Sequence, residues 1–185
     1  MPQKVLVYLL RRDLRLADNP ILHQVSKLSQ QSQCAFTHVL PIYVFPAQQI
    51  EVSGFLNCED AKSPFPEARS EVGHFWRCGP HRAKFLAESV WDVKQDLERV
   101  GSGLVIRVGM LGQVVQDLLA RFREQDDATI TAIWMTSEEG VEEQREERDV
   151  KNAARESNVE FKLWRDEKYF VDEYVYHPRS FSGRS

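Results

Sequence analysis

The sequence has few cysteines and lacks the motifs that mark most enzyme classes. Its three cysteines, Cys34, Cys58 and Cys78, are odd in number and form no C-x-x-C pair, which argues against a disulfide framework and favours a reducing compartment. No G-x-G-x-x-G, phosphate-loop, H-E-x-x-H or G-x-S-x-G pattern occurs. His74, Cys78 and His81 have a spacing that metal ligands can have, but a fourth ligand is lacking, so we predict no metal site.

The chain also lacks an excess of positive charge and a long apolar run. Its 24 Lys and Arg residues against 28 Asp and Glu residues give a net charge of −4, which argues against broad nucleic-acid binding by this chain alone. The apolar run over residues 5–10 is too short to span a membrane, and the residues around it lack the order of a signal peptide. We therefore expect an intracellular protein without membrane contact, in the cytoplasm or nucleus, with the mitochondrion left open.

What is present is the composition of one globular domain, with 185 residues of which 42% are hydrophobic and 28% charged. Apolar runs that alternate with helical patterns predict strands over 5–10, 38–45, 104–108, 130–135 and 159–164, and helices over 20–29, 82–100, 110–122 and 138–157. This alternation predicts a doubly wound, Rossmann-like α/β fold: a five-stranded parallel sheet in the order 3-2-1-4-5, with helices on both faces. Pro41 counts against a central position for the second strand, or indicates a bulge.

The loop over residues 11–19 should lie at the ligand-binding edge of this sheet. The switch point of the predicted order falls between strands one and four, and ligands of such folds bind beyond the carboxyl ends of the strands there. Arg11 and Arg12 could hold an anionic ligand together with a helix N-terminus. Alternatively, the loop is a structural cluster of ion pairs in which Arg15 pairs with Asp13 or Asp18.

The loop after the fourth strand brings carboxylates to the same edge. Glu138 and Glu139 are expected in the first turn of the fourth helix, where acidic side chains interact favourably with the helix dipole. At the switch point they could instead accept hydrogen bonds from the amino-pyrimidinone edge of a pterin or a base. The acidic run over residues 142–147 is expected to be a solvated helix face, with pairs such as Glu147 with Lys151.

Three stretches resemble the cryptochrome/photolyase family. Residues 7–20, VYLLRRDLRLADNP, resemble its opening R-x-D-L-R-x-x-D-N. Residues 78–90 resemble the G-x-H-R-A-x-F-L-x-x-S-V stretch of the DASH branch, and residues 136–139 resemble its T-S-E-E segment. The long loop before the second stretch is similar to that of fungal members. The similarity extends from about Val5 to about Tyr169, over nearly the whole predicted α/β domain.

The resemblance implies the N-terminal antenna domain of a blue-light photoreceptor or light-driven DNA-repair flavoprotein. In the family this α/β domain can hold a second chromophore, often methenyltetrahydrofolate in the DASH branch. A C-terminal helical domain binds FAD and docks DNA. The acidic residue that binds the folate in that pattern corresponds to Glu139, with Glu138 as the alternative if the register differs by one.

The resemblance also leads to an expectation about domain organisation. We expect the α/β domain over residues 1–170 and a divergent tail over 171–185, without the FAD-binding helical domain. Such a chain would be a truncated cryptochrome DASH or photolyase-like protein that is photochemically inactive by itself and has no catalytic residues. FAD is expected only in full-length family members, and DNA contact only through the missing domain. The tryptophans are expected to be core or loop residues: Trp76, Trp91, Trp134 and Trp164.

Two further functions stay open at this point. The chain could be a stand-alone pterin- or nucleotide-binding regulatory module, which docks a partner or a second copy through the face that a helical domain would cover. It could also be a hydrolase or transferase of a related nucleotide-binding architecture. The lack of a phosphate loop and of a nucleophile motif disfavours the latter.

Overall fold

The computed structural model describes residues 2–31, 34–51 and 62–166 of the chain. Within these ranges the elements are β1 (Gln3–Leu10), α1 (Pro20–Ser29), β2 (His38–Pro46), α2 (Pro80–Arg99), β3 (Val105–Gly109), α3 (Leu111–Arg123), β4 (Ala128–Thr136), α4 (Val141–Glu156) and β5 (Glu160–Trp164). The tail predicted over residues 171–185 and Cys58 lie outside the described residues. None of the helices in these ranges is both long and apolar enough to cross a membrane.

The five strands form one parallel sheet in the order β3-β2-β1-β4-β5, which confirms the predicted fold and topology. Because β1 is covered on both faces, its sequence is continuously apolar rather than alternating. Side chains of β1 point alternately into two cores. One core lies under α3 and α4 and receives Val5, Val7 and Leu9. The other lies under α1 and α2 and receives Leu6, Tyr8 and Leu10.

The first residues of α1 and α4 determine which residues lie in the loops at the carboxyl edge of the sheet. Asn19 caps α1, since its Oδ1 accepts hydrogen bonds from the Ile21 and Leu22 N–H groups, both at 3.0 Å. Helix α4 begins later than predicted, at Val141, with Gly140 as its N-cap. Residues 138 and 139 therefore lie in the β4–α4 loop, not in the first helical turn.

Pro41 was expected to count against a central position for the second strand or to indicate a bulge, and the first of these expectations was wrong. Strand β2 lies between β1 and β3, and Pro41 pairs with Tyr8 of β1. The ladder between β2 and β3 begins only at Ile42, so Pro41 has no neighbouring strand on that side and its missing N–H is tolerated. The sheet does contain a bulge, but it lies in the β1–β4 pairing, between Val5 and Leu6.

The tryptophans divide between the core and the surface. Trp134 and Trp164 pack against each other on the α1/α2 side of the sheet, with ring centroids 5.0 Å apart. Trp76 lies in the loop before α2, where the Arg69 guanidinium stacks on its ring at 3.7 Å. Trp91 is 57% exposed on α2, so the expectation that it is a core or loop residue was wrong.

Candidate functional site

The two loops predicted to face each other do meet at the carboxyl edge of β1 and β4. The Arg11 guanidinium donates to the Thr136 carbonyl oxygen through Nη1 at 3.3 Å. Arg12 follows on the same loop, and its Nη1 lies 3.8 Å from Oε2 of Glu138. The strand order therefore produces a polar edge at the topological switch point, as expected for this class of sheet.

A buried hydrogen-bond network fixes the loop after β1. The Tyr8 hydroxyl donates to Oδ2 of Asp13 at 2.5 Å, and the Asn19 amide donates to the Tyr8 oxygen at 2.7 Å. The Arg11 N–H donates to the other Asp13 oxygen at 2.8 Å. Burial, followed by the charge of Asp13, raises the pKa of Tyr8 far above its usual range, so the hydroxyl stays protonated and remains a donor. The network gives the two loop arginines a rigid base.

Arg15 has a different partner from the one predicted. It donates to the backbone carbonyl of Asp18 at 3.1 and 3.2 Å and to both carboxylate oxygens of Asp166 at 2.8 and 2.9 Å. Asp13 is engaged by Tyr8 and Arg11, and Asp18 contributes its carbonyl rather than its carboxylate. The hydrogen bond to Asp166 raises the pKa of Arg15. Arg15 thus ties the β1 loop to the segment that follows β5.

Arg11 is enclosed by α4. Its side chain is 7% exposed and donates to Oε1 of Glu147 at 2.8 Å and to Oε2 of Glu146 at 3.0 Å. It also reaches the carbonyls of Thr136 and Glu143. The acidic run was therefore predicted wrongly as a solvated face: Glu147 turns inward to Arg11 instead of pairing with Lys151. The Arg11 side chain joins β1, β4 and α4.

Glu146 is the acidic residue of this run whose proton affinity changes most clearly. Its Oε1 accepts a hydrogen bond from Nε2 of Gln48 at 2.7 Å, and its Oε2 accepts from Arg11. Burial raises the pKa of the Glu146 carboxyl, and the Arg11 charge only partly offsets this effect. The carboxyl group is held on two sides, by loops that follow β1 and β2.

The other loop arginine faces outward. Arg12 is 56% exposed and pairs with Glu143 and, more distantly, with Glu138, whose side chain is only 9% exposed. Glu139 is exposed. Of the four residues predicted to bind a cofactor, Arg12 and Glu139 reach solvent, whereas Arg11 and Glu138 are enclosed by protein contacts.

A crevice of about 750 Å³ runs along α4, from Glu142 to Glu156, and none of the four predicted cofactor residues lines it. Its walls are the loop over residues 66–77, the start of α3 and one side of α4, and polar groups that line it include Gln48, Arg69, Gln113, Glu142, Arg145 and Glu146. Sequence reasoning missed it, because these residues are spread over four segments. Within residues 2–31, 34–51 and 62–166, no cluster of three His, Cys, Asp or Glu side chains could hold a metal ion.

Comparisons with known sequences give one consistent result. A family model described as DNA photolyase matches residues 6–181. A predicted cryptochrome DASH of Gibberella zeae is 51% identical over 92% of this chain and 24% of its own length. One from Neurospora crassa, with mitochondrial in its name, is 48% identical over 92% of this chain and 22% of its own length. The chain thus spans about a quarter of the length of these relatives.

Solved structures agree on the fold. The crystal structure of a Synechocystis cryptochrome superposes with a TM-score of 0.67 and 22% identity, over 89% of this chain and 28% of that one. A photolyase of Sulfolobus tokodaii, solved with two FAD molecules, gives a TM-score of 0.57 and 21% identity, over 88% of this chain and 29% of that one. At these identities the similarity concerns the α/β fold, which in both proteins is one part of a longer chain.

Proposed function

The chain belongs to the DNA photolyase family and has the α/β domain of its cryptochrome DASH branch, and from this premise we propose that it is an antenna domain that binds a pterin chromophore such as methenyltetrahydrofolate. The observation that carries the proposal is the pair of side chains left accessible at the switch point. Glu139 offers a carboxylate and Arg12 a guanidinium, while Arg11 and Glu138 form the support beneath them.

The donor set fits a folate. The amino-pyrimidinone edge of a pterin presents N–H donors, and the Glu139 carboxylate can accept them. The glutamate tail of a folate is anionic, Arg12 is a cationic group at this edge, and Arg145 is a second one in the neighbouring crevice. The neighbouring crevice, about 750 Å³ in volume, lies within the usual range for small-molecule sites.

When bound, such a chromophore would supply light absorption. The residues of this chain would do the binding and orienting. Glu139 lies between the end of β4 and Gly140, the N-cap of α4, so its backbone position is set by two rigid elements. Arg12 is held by Glu143 from α4, which limits the range of positions that its guanidinium can take. The Arg12 guanidinium and the backbone of Glu139 would therefore be preorganised for a ligand.

A folate titration with matched variants tests the proposal. We expect the purified chain to bind methenyltetrahydrofolate and Glu139→Gln to weaken binding roughly tenfold or more, because an accessible charge-assisted hydrogen bond is lost. Glu124→Gln is the control, since Glu124 is an exposed acidic residue at the far end of α3. An unchanged affinity in Glu139→Gln, with unchanged folding, would remove Glu139 from the site. If Glu138→Gln alone weakened binding, the register would shift by one.

We also propose that this chain by itself has no photochemistry and that FAD and DNA bind elsewhere in longer relatives. The coverage supports this, because the matched part is 24% and 22% of the two fungal relatives. Blue-light bleaching of a flavin bound to the purified chain would contradict it. The name of the Neurospora relative supports the mitochondrion as one intracellular location to examine with a fluorescent fusion.

A second candidate function is a partner-binding module, and the exposed aromatic residues of α2 favour it. Phe85 is 71% and Trp91 57% exposed, more than aromatic side chains on a helix usually are. Mass measurement by light scattering after size exclusion distinguishes the two functions. A folate-binding monomer supports the antenna domain, and a dimer that Trp91→Lys dissociates supports the module.

A further inference from the structure

The solvent-facing side of α2 carries charges that are arranged symmetrically about Trp91. Lys84 lies seven residues before Trp91 and Glu98 seven residues after it. Glu88 lies three residues before Trp91 and Lys94 three residues after it. Positions at equal distances from Trp91 therefore always combine one lysine with one glutamate. We call these five residues the α2 seam.

The α2 seam is one continuous and exposed face of the helix. Spacings of three, four and seven residues bring side chains to the same side of an α-helix. Trp91 is 57% exposed, and the Lys84 and Glu88 side chains are 75% and 66% exposed. The Glu98 side chain is 51% exposed, while that of Lys94 is 28% exposed and lies 5.6 Å from the Trp91 ring. The buried residues of α2 face the sheet instead, so the seam does not hold the helix in place.

A second copy of the chain can pack its own α2 against this seam in antiparallel orientation. A two-fold axis at Trp91 brings the two Trp91 rings together and places each Lys84 opposite Glu98 of the second copy. The same axis places each Glu88 opposite Lys94 of the second copy. A parallel arrangement would instead bring lysine beside lysine and glutamate beside glutamate. The charge pattern thus favours an antiparallel copy of the same helix.

The balance of charge also favours a second copy as the occupant. The whole chain has a net charge of −4, which repels other copies, whereas the seam combines two lysines with two glutamates and is neutral. Within one chain, Lys84 pairs with Glu88 at 3.7 Å and Lys94 pairs with Glu98. In the antiparallel pair each of these charges gains a second partner across the interface. Trp91 would occupy the centre, where tryptophan contributes most to association.

From this symmetry we propose that the α2 seam is an interface between two copies of this chain, packed antiparallel about Trp91. The inference rests on the second candidate function, the partner-binding module, and names a second copy as the partner. Helix α2 packs on the face of the sheet opposite α4, whereas Arg12 contacts the start of α4. Self-association and folate binding can therefore be measured independently on the same sample.

Sedimentation velocity of the purified chain, from about 1 to about 500 µM, tests the interface. The seam is one helix wide, so we expect a weak dimer with a dissociation constant on the order of tens of micromolar. Trp91→Lys should raise this constant at least roughly thirtyfold, because it removes the central aromatic residue. The control is Phe85→Ala, since Phe85 is 71% exposed on the same helix but lies about 120° around it from Trp91. Circular dichroism establishes that each variant unfolds at the wild-type temperature.

A charge exchange between two variants tests the antiparallel arrangement. Lys84→Glu alone and Glu98→Lys alone should each raise the dissociation constant roughly five- to tenfold, because two attractive pairs become repulsive. An equimolar mixture of the two variants should recover the wild-type constant within about twofold. In the mixed dimer the introduced glutamate faces the introduced lysine, and the native Glu98 of one copy faces the native Lys84 of the other.

The outcomes separate this inference from the proposed functions. A wild-type chain that stays monomeric at every concentration overturns the dimer, and the module would then require a different protein on α2. A dimer that persists in Trp91→Lys, or that dissociates in Phe85→Ala, overturns the seam but leaves the module. A mixture of the charge variants that stays monomeric overturns the antiparallel arrangement. The folate titration of the same sample decides the antenna function separately.

Discussion

Two adjacent arginines at the end of β1 have opposite environments. Arg11 is 7% exposed and is bonded to carboxylates of α4, whereas Arg12 is 56% exposed and pairs at the rim of the same edge. Successive side chains at a strand end point to opposite sides, so Arg11 is buried against α4, whereas Arg12 contacts only Glu143 at the start of this helix and stays exposed. The burial of the two side chains separates the structural role of Arg11 from the ligand contact that we propose for Arg12.

Removing Arg11 should have the largest effect on stability. In Arg11→Met, Glu146 and Glu147 keep their burial but lose the guanidinium between them. We expect the free energy of unfolding to fall by about 3–5 kcal/mol, because a buried charge without its partner is costly. Urea unfolding followed by circular dichroism measures this. Arg12→Met is the matched control. Equal losses of unfolding free energy in the two variants would show that the two arginines do not differ in their structural role.

Tyr8 supports the loop of the two arginines through Asp13, which also bonds the Arg11 backbone, and the removal of its hydroxyl should have the second largest effect on stability. Tyr8→Phe deletes the hydroxyl that donates to Asp13 and accepts from Asn19, which leaves two buried polar groups short of a partner. We expect a loss of about 1–3 kcal/mol in the free energy of unfolding.

Thr37→Val is the matched control for Tyr8→Phe, because the Thr37 hydroxyl bonds the Lys4 backbone in an exposed position. Its removal should cost clearly less in the same urea titration. If Thr37→Val destabilised the domain as much as Tyr8→Phe, burial would not be the reason for the Tyr8 effect.

The division between the arginines also shows how far the sequence could predict this molecule. Strand β1 and the order of the sheet follow from apolar runs and their alternation with helical patterns, and both were predicted correctly. The pair formed by Arg11 and Glu147 spans 136 residues, and the one formed by Arg15 and Asp166 spans 151. Such pairs leave no local periodicity. The acidic run of α4 looked solvated because its buried counter-charge comes from β1.

Glu146, which is enclosed together with Arg11, should make the free energy of unfolding depend on pH. This effect should be smaller than the loss expected for Tyr8→Phe, and its sign should be opposite to that of most carboxyl groups in ion pairs. Burial raises the pKa of Glu146 above its usual value near 4.5, so the folded state binds this proton more tightly than the unfolded state. The contribution of Glu146 to stability is therefore full below about pH 4.5 and decreases as the pH rises through the raised pKa.

Replacing Glu146 by glutamine, which resembles the protonated acid, should remove this pH dependence. At pH 7 we expect Glu146→Gln to be as stable as wild type or up to about 1 kcal/mol more stable, with the difference vanishing below pH 4. Urea titrations at a series of pH values measure it. Glu147→Gln should instead lose stability at pH 7, since Glu147 accepts from both Arg11 and the Glu138 N–H. A Glu146→Gln variant that is less stable than wild type at pH 7 would contradict the expected sign.

The smallest effect on stability should come from the replacement of Arg12. This variant gives the most direct contrast with the replacement of Arg11. The Arg12 side chain is 56% exposed, although its partners Glu143 and Glu138 are only 12% and 9% exposed, and an ion pair that is open to water on the arginine side contributes about 0–1 kcal/mol. We expect Arg12→Gln to lower the free energy of unfolding by less than about 1 kcal/mol, and by still less in high salt, where exposed charges are screened. The same substitution should weaken the binding of methenyltetrahydrofolate, because it removes an accessible cation at the proposed site. A loss of stability similar to that of Arg11→Met, with folate affinity unchanged, would show that Arg12 is a structural residue as well.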